Sequence, residues 1–157
     1  RGVDDLIVAS YSVGFGAESM GRKKFWPEPG PWTDPDWTGW WGGDPPFHSP
    51  VFVLTHYPRP PITLSDTIFH FIDATPDEAV SIAKRAANGK DVRIGGGVST
   101  IRQFPAAGLI DALCSNVTPA VAGHGERLWH GPEELFDGYD HERVAGASGV
   151  IHHFFWR

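Results

Sequence analysis

The sequence is short of several features that would place it in a common functional class. Its 157 residues include a single cysteine, Cys114, so no disulfide can form within the chain and we expect a reducing, cytoplasmic location. The net charge of −6 and the lack of a basic stripe argue against nucleic acid as a partner. No run of about 18 apolar residues is present, so we expect no membrane span. No secretory signal is visible.

Tryptophan and proline, by contrast, are concentrated between Phe25 and Pro61, which we call the Trp-rich segment. It holds ten of the 14 prolines, and they exclude regular helix and central strand over most of it. Two interpretations stay open: a lid or pocket wall, or loop packing over an edge of the core. If the segment contacts a substrate, the candidate residues are Trp26, Trp32 and Trp40.

Strand and helix patterns alternate along the chain on both sides of the Trp-rich segment, and one predicted strand lies within its last part. Strands are predicted at 17–21, 51–55, 68–72, 91–94, 113–117 and 150–156, with helices at 4–12, from 76 and from 100. The clearest helix has Thr75 as N-cap, Pro76 at its first position and Glu78 completing a capping box. Alternation of this kind predicts a single α/β domain, 1–157, with a largely parallel sheet.

A turn of three glycines is the strongest candidate for a binding site. It joins the strand at 91–94 to a helix for which Ser99 is the predicted N-cap and which Pro105 is expected to end or kink. Such a turn lets backbone N–H groups approach an anion, and the helix N-terminus adds positive potential, so a phosphate is the natural ligand. The alternative is a tight turn that needs positive φ. The candidate residues are Gly95, Gly96, Gly97, Val98, Ser99 and Thr100.

Two other predicted strand ends carry groups that suit a phosphate. Gly21, Arg22 and Lys23 follow the first strand, and Thr55 and His56 follow the second. Ligands of α/β sheets gather beyond the carboxyl ends of the strands, so these groups and the glycine turn are expected at one edge. The alternatives are a solvated basic turn and an ordinary strand-end turn.

No metal site is predicted, because the eight histidines fall in no ligand pattern. His152 and His153 are neighbours on a predicted strand and should face opposite sides. Cys114 lies in an apolar strand, where a buried small hydrophobe is favoured over a nucleophile.

Six segments, in order, carry a resemblance to a known family. They are GAESMGRKKF (16–25), PVFVLTHYPRP (50–60), KDVRIGGGVSTIRQF (90–104), AGLIDAL (107–113), VTPAVAGHGERLW (117–129) and GVIHHFFWR (149–157). The chain resembles the dihydrofolate-reductase-like family that includes the reductase domain of the bifunctional riboflavin-biosynthesis deaminase/reductase. The resemblance implies a three-layer α/β sandwich around a mostly parallel sheet. It also implies an NADPH-dependent reductase, often a homodimer, that acts on a small pteridine- or pyrimidine-like molecule.

The resemblance also assigns roles to the candidate residues. It implies that Gly21 and Arg22 line the cofactor site, that Thr55 and His56 lie near the adenosine phosphate, and that the glycine turn cradles the pyrophosphate. The first strand of the family and its Ser-Leu-Asp-Gly-like segment have no match, so the sheet is expected to lack a central strand. No catalytic residue is assigned.

Two other functions compete with the reductase. One is a non-catalytic nucleotide- or phosphate-binding module, which would use the same glycine turn but would not oxidise a cofactor. The other is a carbohydrate or aromatic-ligand binder built on the Trp-rich segment, which would need exposed tryptophans.

Overall fold

A computed structural model describes residues 2–11, 13–128 and 137–157. Their helices are α1 (Val3–Ser10), α2 (Arg22–Phe25), α3 (Pro76–Ala86) and α4 (Val98–Ala106). Their strands are β1 (Phe15–Gly21), β2 (Pro50–Leu54), β3 (Ile62–Leu64), β4 (Thr67–Ile72), β5 (Asp91–Ile94), β6 (Ala112–Val117), β7 (Asp140–Ala145) and β8 (Ile151–Trp156). No helix in these ranges is both long and apolar enough to cross a membrane.

The main sheet has five strands in the order β3-β4-β2-β1-β5. The pairs β1–β2, β1–β5 and β2–β4 are parallel, and only the edge strand β3 runs antiparallel. The predicted α/β fold with a mostly parallel central sheet is therefore confirmed. Because β1, β2 and β5 are parallel neighbours, their carboxyl ends lie along one edge of the sheet.

A second, antiparallel sheet has the order β6-β8-β7. Strand β5 is an edge of the main sheet and β6 an edge of the smaller one, and among the described residues no strand pairs with both. A cavity of about 910 Å³ lies between these two edges. Strand β7 was not predicted, because its sequence DHERVA is mostly polar; it is defined by pairing with β8. The short strand β3 was missed as well.

The two faces of the main sheet are covered by different material. Phe52 packs with Ala83 of α3 on one face, while its neighbour Val53 packs with Phe25 on the other. On that second face the Trp-rich segment has no helix or strand between residues 26 and 49, as its prolines predict. Four of its tryptophans, Trp26, Trp32, Trp37 and Trp41, join this core. The sheet thus lies between a helical layer and an aromatic layer.

The capping box of α3 is confirmed. Thr75 is the N-cap and accepts a hydrogen bond from the Glu78 N–H, while the Glu78 carboxylate accepts one from the Thr75 N–H at 2.9 Å. These two bonds satisfy donors that a helix N-terminus otherwise leaves free.

Two local predictions were wrong. Helix α4 begins at Val98 with Gly97 as N-cap, so Ser99 lies inside the helix. The other end agrees with the prediction, since Pro105 stands in the last turn and the helix stops at Ala106. Gly97 takes the extended backbone that an N-cap needs, and a helix can start there without a side-chain cap. Cys114 is exposed rather than buried, because β6 is the edge strand of the smaller sheet.

Candidate binding site at the strand ends

The structure brings the three predicted groups to one edge of the main sheet. Gly21 ends β1 and Arg22 follows it, Thr55 and His56 follow β2, and the glycine turn follows β5. Parallel pairing of β1 with both β2 and β5 makes these ends adjacent. The sequence argument from strand ends therefore located the groups correctly relative to one another.

The glycine turn is fixed against the end of β1 by backbone hydrogen bonds. The Gly21 N–H donates to the Gly96 carbonyl at 3.0 Å, and the Gly95 N–H donates to the Ser19 carbonyl at 2.7 Å. A Cβ on Gly21 would collide with the Thr100 hydroxyl and lie 3.2 Å from the Thr100 Cβ. Gly21 is therefore required for the close approach of β1 to the start of α4.

No contact with another described residue requires glycine at Gly96 or Gly97. Neither adopts positive φ, and a Cβ on either would meet no atom within 4 Å. The alternative explanation, a turn that needs positive φ, is therefore wrong for these residues. Their bare backbone faces open space, which is the property that lets a ligand approach closely.

The N-terminus of α4 adds donors beside that bare backbone. No side chain caps the helix after Gly97, and the N–H groups of a first helical turn have no partner within the helix. Thr100 is buried beside Gly21, whereas Ser99 is exposed. Free N–H groups and the helix dipole together favour an anion at this point.

The β2 end contributes polar groups of two kinds. The Thr55 hydroxyl accepts a hydrogen bond from the Tyr57 N–H at 3.0 Å, which leaves its own proton free to be donated. His56 contacts Asp73 through Nδ1 at 2.9 Å, and its side chain is 88% exposed. Thr55 is thus a fixed part of the edge, and His56 is a solvent-facing group beside it.

The cations after β1 differ in their surroundings. Lys23 is exposed, whereas the Arg22 guanidinium donates through Nη1 to the Glu28 carbonyl and lies 4.5 Å from the centre of the Trp32 ring. Burial lowers the pKa of Arg22 below its ordinary value. Lys24 pairs with the Glu18 carboxylate at 2.9 Å.

Glu18 is a buried carboxylate that the sequence analysis missed. Its side chain is 3% exposed and accepts hydrogen bonds from Lys24 and from both Nε and Nη2 of Arg93. A Cβ on Gly95 would come within 2.6 Å of Glu18 Oε1 and of Lys24 Nζ. Gly95, the first glycine of the turn, therefore makes room for this ion pair. The sequence did contain a signal for it, namely an acidic residue inside an otherwise apolar strand.

The three tryptophans proposed as substrate contacts lie in different environments. Trp26 is buried in the aromatic core, and Trp32 is half-buried against Arg22. Trp40 is 58% exposed and packs edge-on against Trp37 at 4.7 Å. Four of the five tryptophans of the Trp-rich segment, Trp26, Trp32, Trp37 and Trp41, therefore contribute to the core. This favours the loop-packing interpretation and leaves little exposed indole for a carbohydrate binder.

One cluster offers metal-ligand atoms that no sequence spacing suggested. Ligand atoms of Asp44, His48 and Asp66 all lie within 4.8 Å of one another. His48 contacts Asp66 at 2.6 Å, and this contact raises the pKa of His48. The cluster is exposed and lies by Thr67, at the amino end of β4, so it belongs to the sheet edge opposite the glycine turn.

These features define a three-layer α/β domain with a glycine turn and uncapped helix N-terminus at the carboxyl edge of a parallel sheet. The chain belongs to the RibD C-terminal domain family, whose profile matches residues 34–137. Membership of this family supports a role as an oxidoreductase, and more closely as a reductase. Among curated proteins, no sequence matches the chain.

Solved structures support the same fold. A protein from Shewanella sp. PV-4 described as a riboflavin biosynthesis protein has a TM-score of 0.59 and 22% identity, over 99% of this chain and 80% of that one. RibD of Acinetobacter baumannii gives a TM-score of 0.58 and 14% identity, over 98% of this chain and 50% of that one. These matches confirm the dihydrofolate-reductase-like architecture.

Proposed function

We propose that the chain is an NADPH-dependent reductase that acts on a small pteridine- or pyrimidine-like molecule. The observation that carries the proposal is the junction of three strand ends, where the bare backbone of Gly96 and Gly97 meets the uncapped start of α4. This arrangement suits a pyrophosphate, because it offers several N–H donors and positive helix potential without a side chain in the way.

The chain's own groups have separable tasks in this proposal. The glycine turn and α4 would hold the pyrophosphate, while Arg22, Thr55 and His56 line the neighbouring strand ends. Bound NADPH would supply the hydride, and the protein need only orient the ring and exclude water. Family membership supports reduction as the reaction class. We assign no proton donor, and a homodimer in the cytoplasm remains part of the proposal.

The test is a titration of the folded protein with NADPH and, separately, with NADH, followed by tryptophan fluorescence and energy transfer to the nicotinamide. Gly96→Val should weaken NADPH binding by about tenfold or more, since its side chain would enter the space that the phosphates need. Gly43→Val is the matched control, because a Cβ at Gly43 also meets nothing and the residue lies in the Trp-rich segment.

Unchanged binding in Gly96→Val, or no binding of either nucleotide by the folded wild type, would contradict the proposal. Consumption of NADPH in a screen of heteroaromatic acceptors then separates a reductase from a non-catalytic module. A module would bind the nucleotide and leave its absorbance unchanged with every acceptor.

A further inference from the structure

A cluster of metal-ligating side chains lies at the amino edge of the main sheet, opposite the glycine turn. It consists of Asp44, His48 and Asp66, whose ligand atoms all lie within 4.8 Å of one another, and we call it the amino-edge cluster. In the part of the chain that the structure describes, no other three side chains of this kind come so close together. The proposed reductase reaction does not use these residues.

The topology of the sheet brings the cluster together from two parts of the chain. Asp44 and His48 lie in the Trp-rich segment just before β2, and Asp66 immediately precedes β4. Strands β2 and β4 are parallel neighbours, so their amino ends lie side by side. The cluster therefore joins the end of the Trp-rich segment to the turn between β3 and β4.

A buried threonine fixes the backbone of both parts. Thr67 is fully buried, and its hydroxyl accepts a hydrogen bond from the His48 N–H at 3.0 Å and donates one to the Pro45 carbonyl at 3.3 Å. Pro45, the neighbour of Asp44, is fully buried as well, and Thr67 is the neighbour of Asp66. All three side chains of the cluster thus project from backbone that the core holds in place, which is what a preorganised site requires.

Aromatic packing holds the histidine in a second way. The ring of Phe47, the residue before His48, lies 4.9 Å from the ring of Trp41 and 5.8 Å from that of the fully buried Phe69. The imidazole is therefore carried on backbone anchored to the aromatic layer, while Asp66 belongs to the sheet itself.

The donor set matches a transition metal such as zinc. Zinc accepts imidazole nitrogen and carboxylate oxygen at about 2.0–2.2 Å, which places its tetrahedral ligand atoms about 3.3–3.6 Å apart. The separations in the cluster bracket this range, from 2.6 Å between His48 Nδ1 and Asp66 Oδ1 up to 4.8 Å. These two side chains are 55% and 62% exposed, so they have room to adjust by about 1 Å. An imidazole ligand favours zinc over magnesium and calcium.

Two other histidine contacts show what sets this cluster apart. His56 meets Asp73 at 2.9 Å, and His141 meets His153 at 3.0 Å. Neither pair has a third ligand within 4.8 Å among the residues that the structure describes. The amino-edge cluster combines an imidazole with two carboxylates, and the negative charge of the carboxylates offsets that of a divalent cation.

We propose that the amino-edge cluster binds a zinc ion and that this ion fastens the Trp-rich segment to the turn between β3 and β4. The role is structural, because the ion would tie the aromatic layer to the strand that it covers. An ion that binds the folded chain and not the unfolded one stabilises the fold by mass action. The inference does not depend on NADPH, since the cofactor is proposed at the opposite edge of the sheet.

The experiment is calorimetric titration of the chelator-treated, metal-free protein with zinc chloride, followed by thermal unfolding with excess zinc and with EDTA. Wild type should bind one zinc ion per chain, and zinc should raise its unfolding temperature. Manganese should bind more weakly than zinc, and magnesium and calcium more weakly still.

Two variants each remove one ligand. His48→Asn suits the positive φ of 48° at this position, and Asp66→Asn keeps the size of the side chain. Each should weaken zinc binding by about tenfold or more, because even the loss of an outer-shell partner costs a metal site 10–100-fold in affinity. Each should also lose most of the zinc-dependent rise in unfolding temperature. Unfolding in EDTA shows that the variants are folded.

His141→Ala is the matched control, because it removes an exposed histidine that faces another histidine and no carboxylate pair. It should keep the zinc affinity of wild type. Four results would overturn the inference: no zinc binding by wild type, unchanged affinity in folded His48→Asn or Asp66→Asn, loss of affinity in His141→Ala instead, or zinc binding that leaves the unfolding temperature unchanged.

Discussion

The two sheets of this protein differ in how completely they are covered. In β1 the last five residues are buried, and in β2 the middle three are. In β7 of the smaller sheet five of six residues are exposed. The main sheet has α3 on one face and aromatic side chains on the other, whereas β6 and β7 contribute no buried residue among those described.

This difference indicates that the main sheet contributes more buried side chains to the stability of the fold than the smaller sheet does. It also explains why the candidate site lies at an edge of the main sheet. A binding edge needs its backbone held in fixed positions, and the strand ends around Gly21 are held by a sheet that is packed on both faces. The Trp-rich segment therefore has a structural task that its prolines alone did not reveal. It replaces a helical layer with indole and phenyl rings, and the same rings reach Arg22 and Arg59.

The largest contrast should come from truncating one phenylalanine in each sheet. Phe69 is fully buried and contacts the rings of Phe25 at 5.2 Å and Trp41 at 5.6 Å, so Phe69→Ala should lower the free energy of unfolding by about 3–5 kcal/mol. Phe154 of β8 is only half-buried, and Phe154→Ala should cost about 1–2 kcal/mol. Urea unfolding measures both, and equal losses would contradict the contrast between the sheets.

A smaller contrast separates glycines required by the fold from glycines free for a ligand. A Cβ on Gly16 would lie 2.8 Å from the Ala87 Cα, so Gly16→Ala should cost about 1–3 kcal/mol of stability. Gly96→Ala meets no atom within 4 Å and should leave the unfolding midpoint nearly unchanged. NADPH affinity should change in the opposite order, with the larger loss in Gly96→Ala. A destabilised Gly96→Ala with normal affinity would assign that glycine to folding.

The sequence predicted those features that depend on neighbouring residues or on parallel topology. Thr75, Pro76 and Glu78 form a cap by local hydrogen bonds, so their spacing was sufficient. Gly21 and the glycine turn could be placed together because carboxyl ends of parallel strands share an edge.

Other features depend on which strands pair and on long-range packing. The exposure of Cys114 follows from the edge position of β6, and pattern alone could not show that position. Arg59 had no local signal, because its contact with Trp32 joins residues 27 positions apart through the irregular segment.

The smallest expected effect concerns a contact between α1 and the smaller sheet, which is the less buried of the two sheets. Asp4 of α1 contacts the buried His152 of β8, with 2.6 Å between Oδ1 and Nε2, and accepts a weaker bond from the Ser148 N–H at 3.4 Å. These bonds hold the pKa of Asp4 below its ordinary value of 3.8. A carboxyl whose pKa is lower in the folded state stabilises the fold above its unfolded pKa. That contribution is lost as the pH falls through the folded value.

Asp4→Asn should therefore be less stable than wild type at neutral pH, and the difference should shrink as the solution is acidified below the ordinary value of 3.8. Urea unfolding over a pH series measures the difference. Asp36→Asn is the control, since its carboxylate accepts no hydrogen bond from any residue that the structure describes, and it should show no such convergence. If the difference in free energy of unfolding between wild type and Asp4→Asn stayed constant over the pH series, the Asp4–His152 contact would not depend on the carboxylate charge. Attachment of α1 to the smaller sheet would then rest on packing, and the two sheets would differ less than their burial suggests.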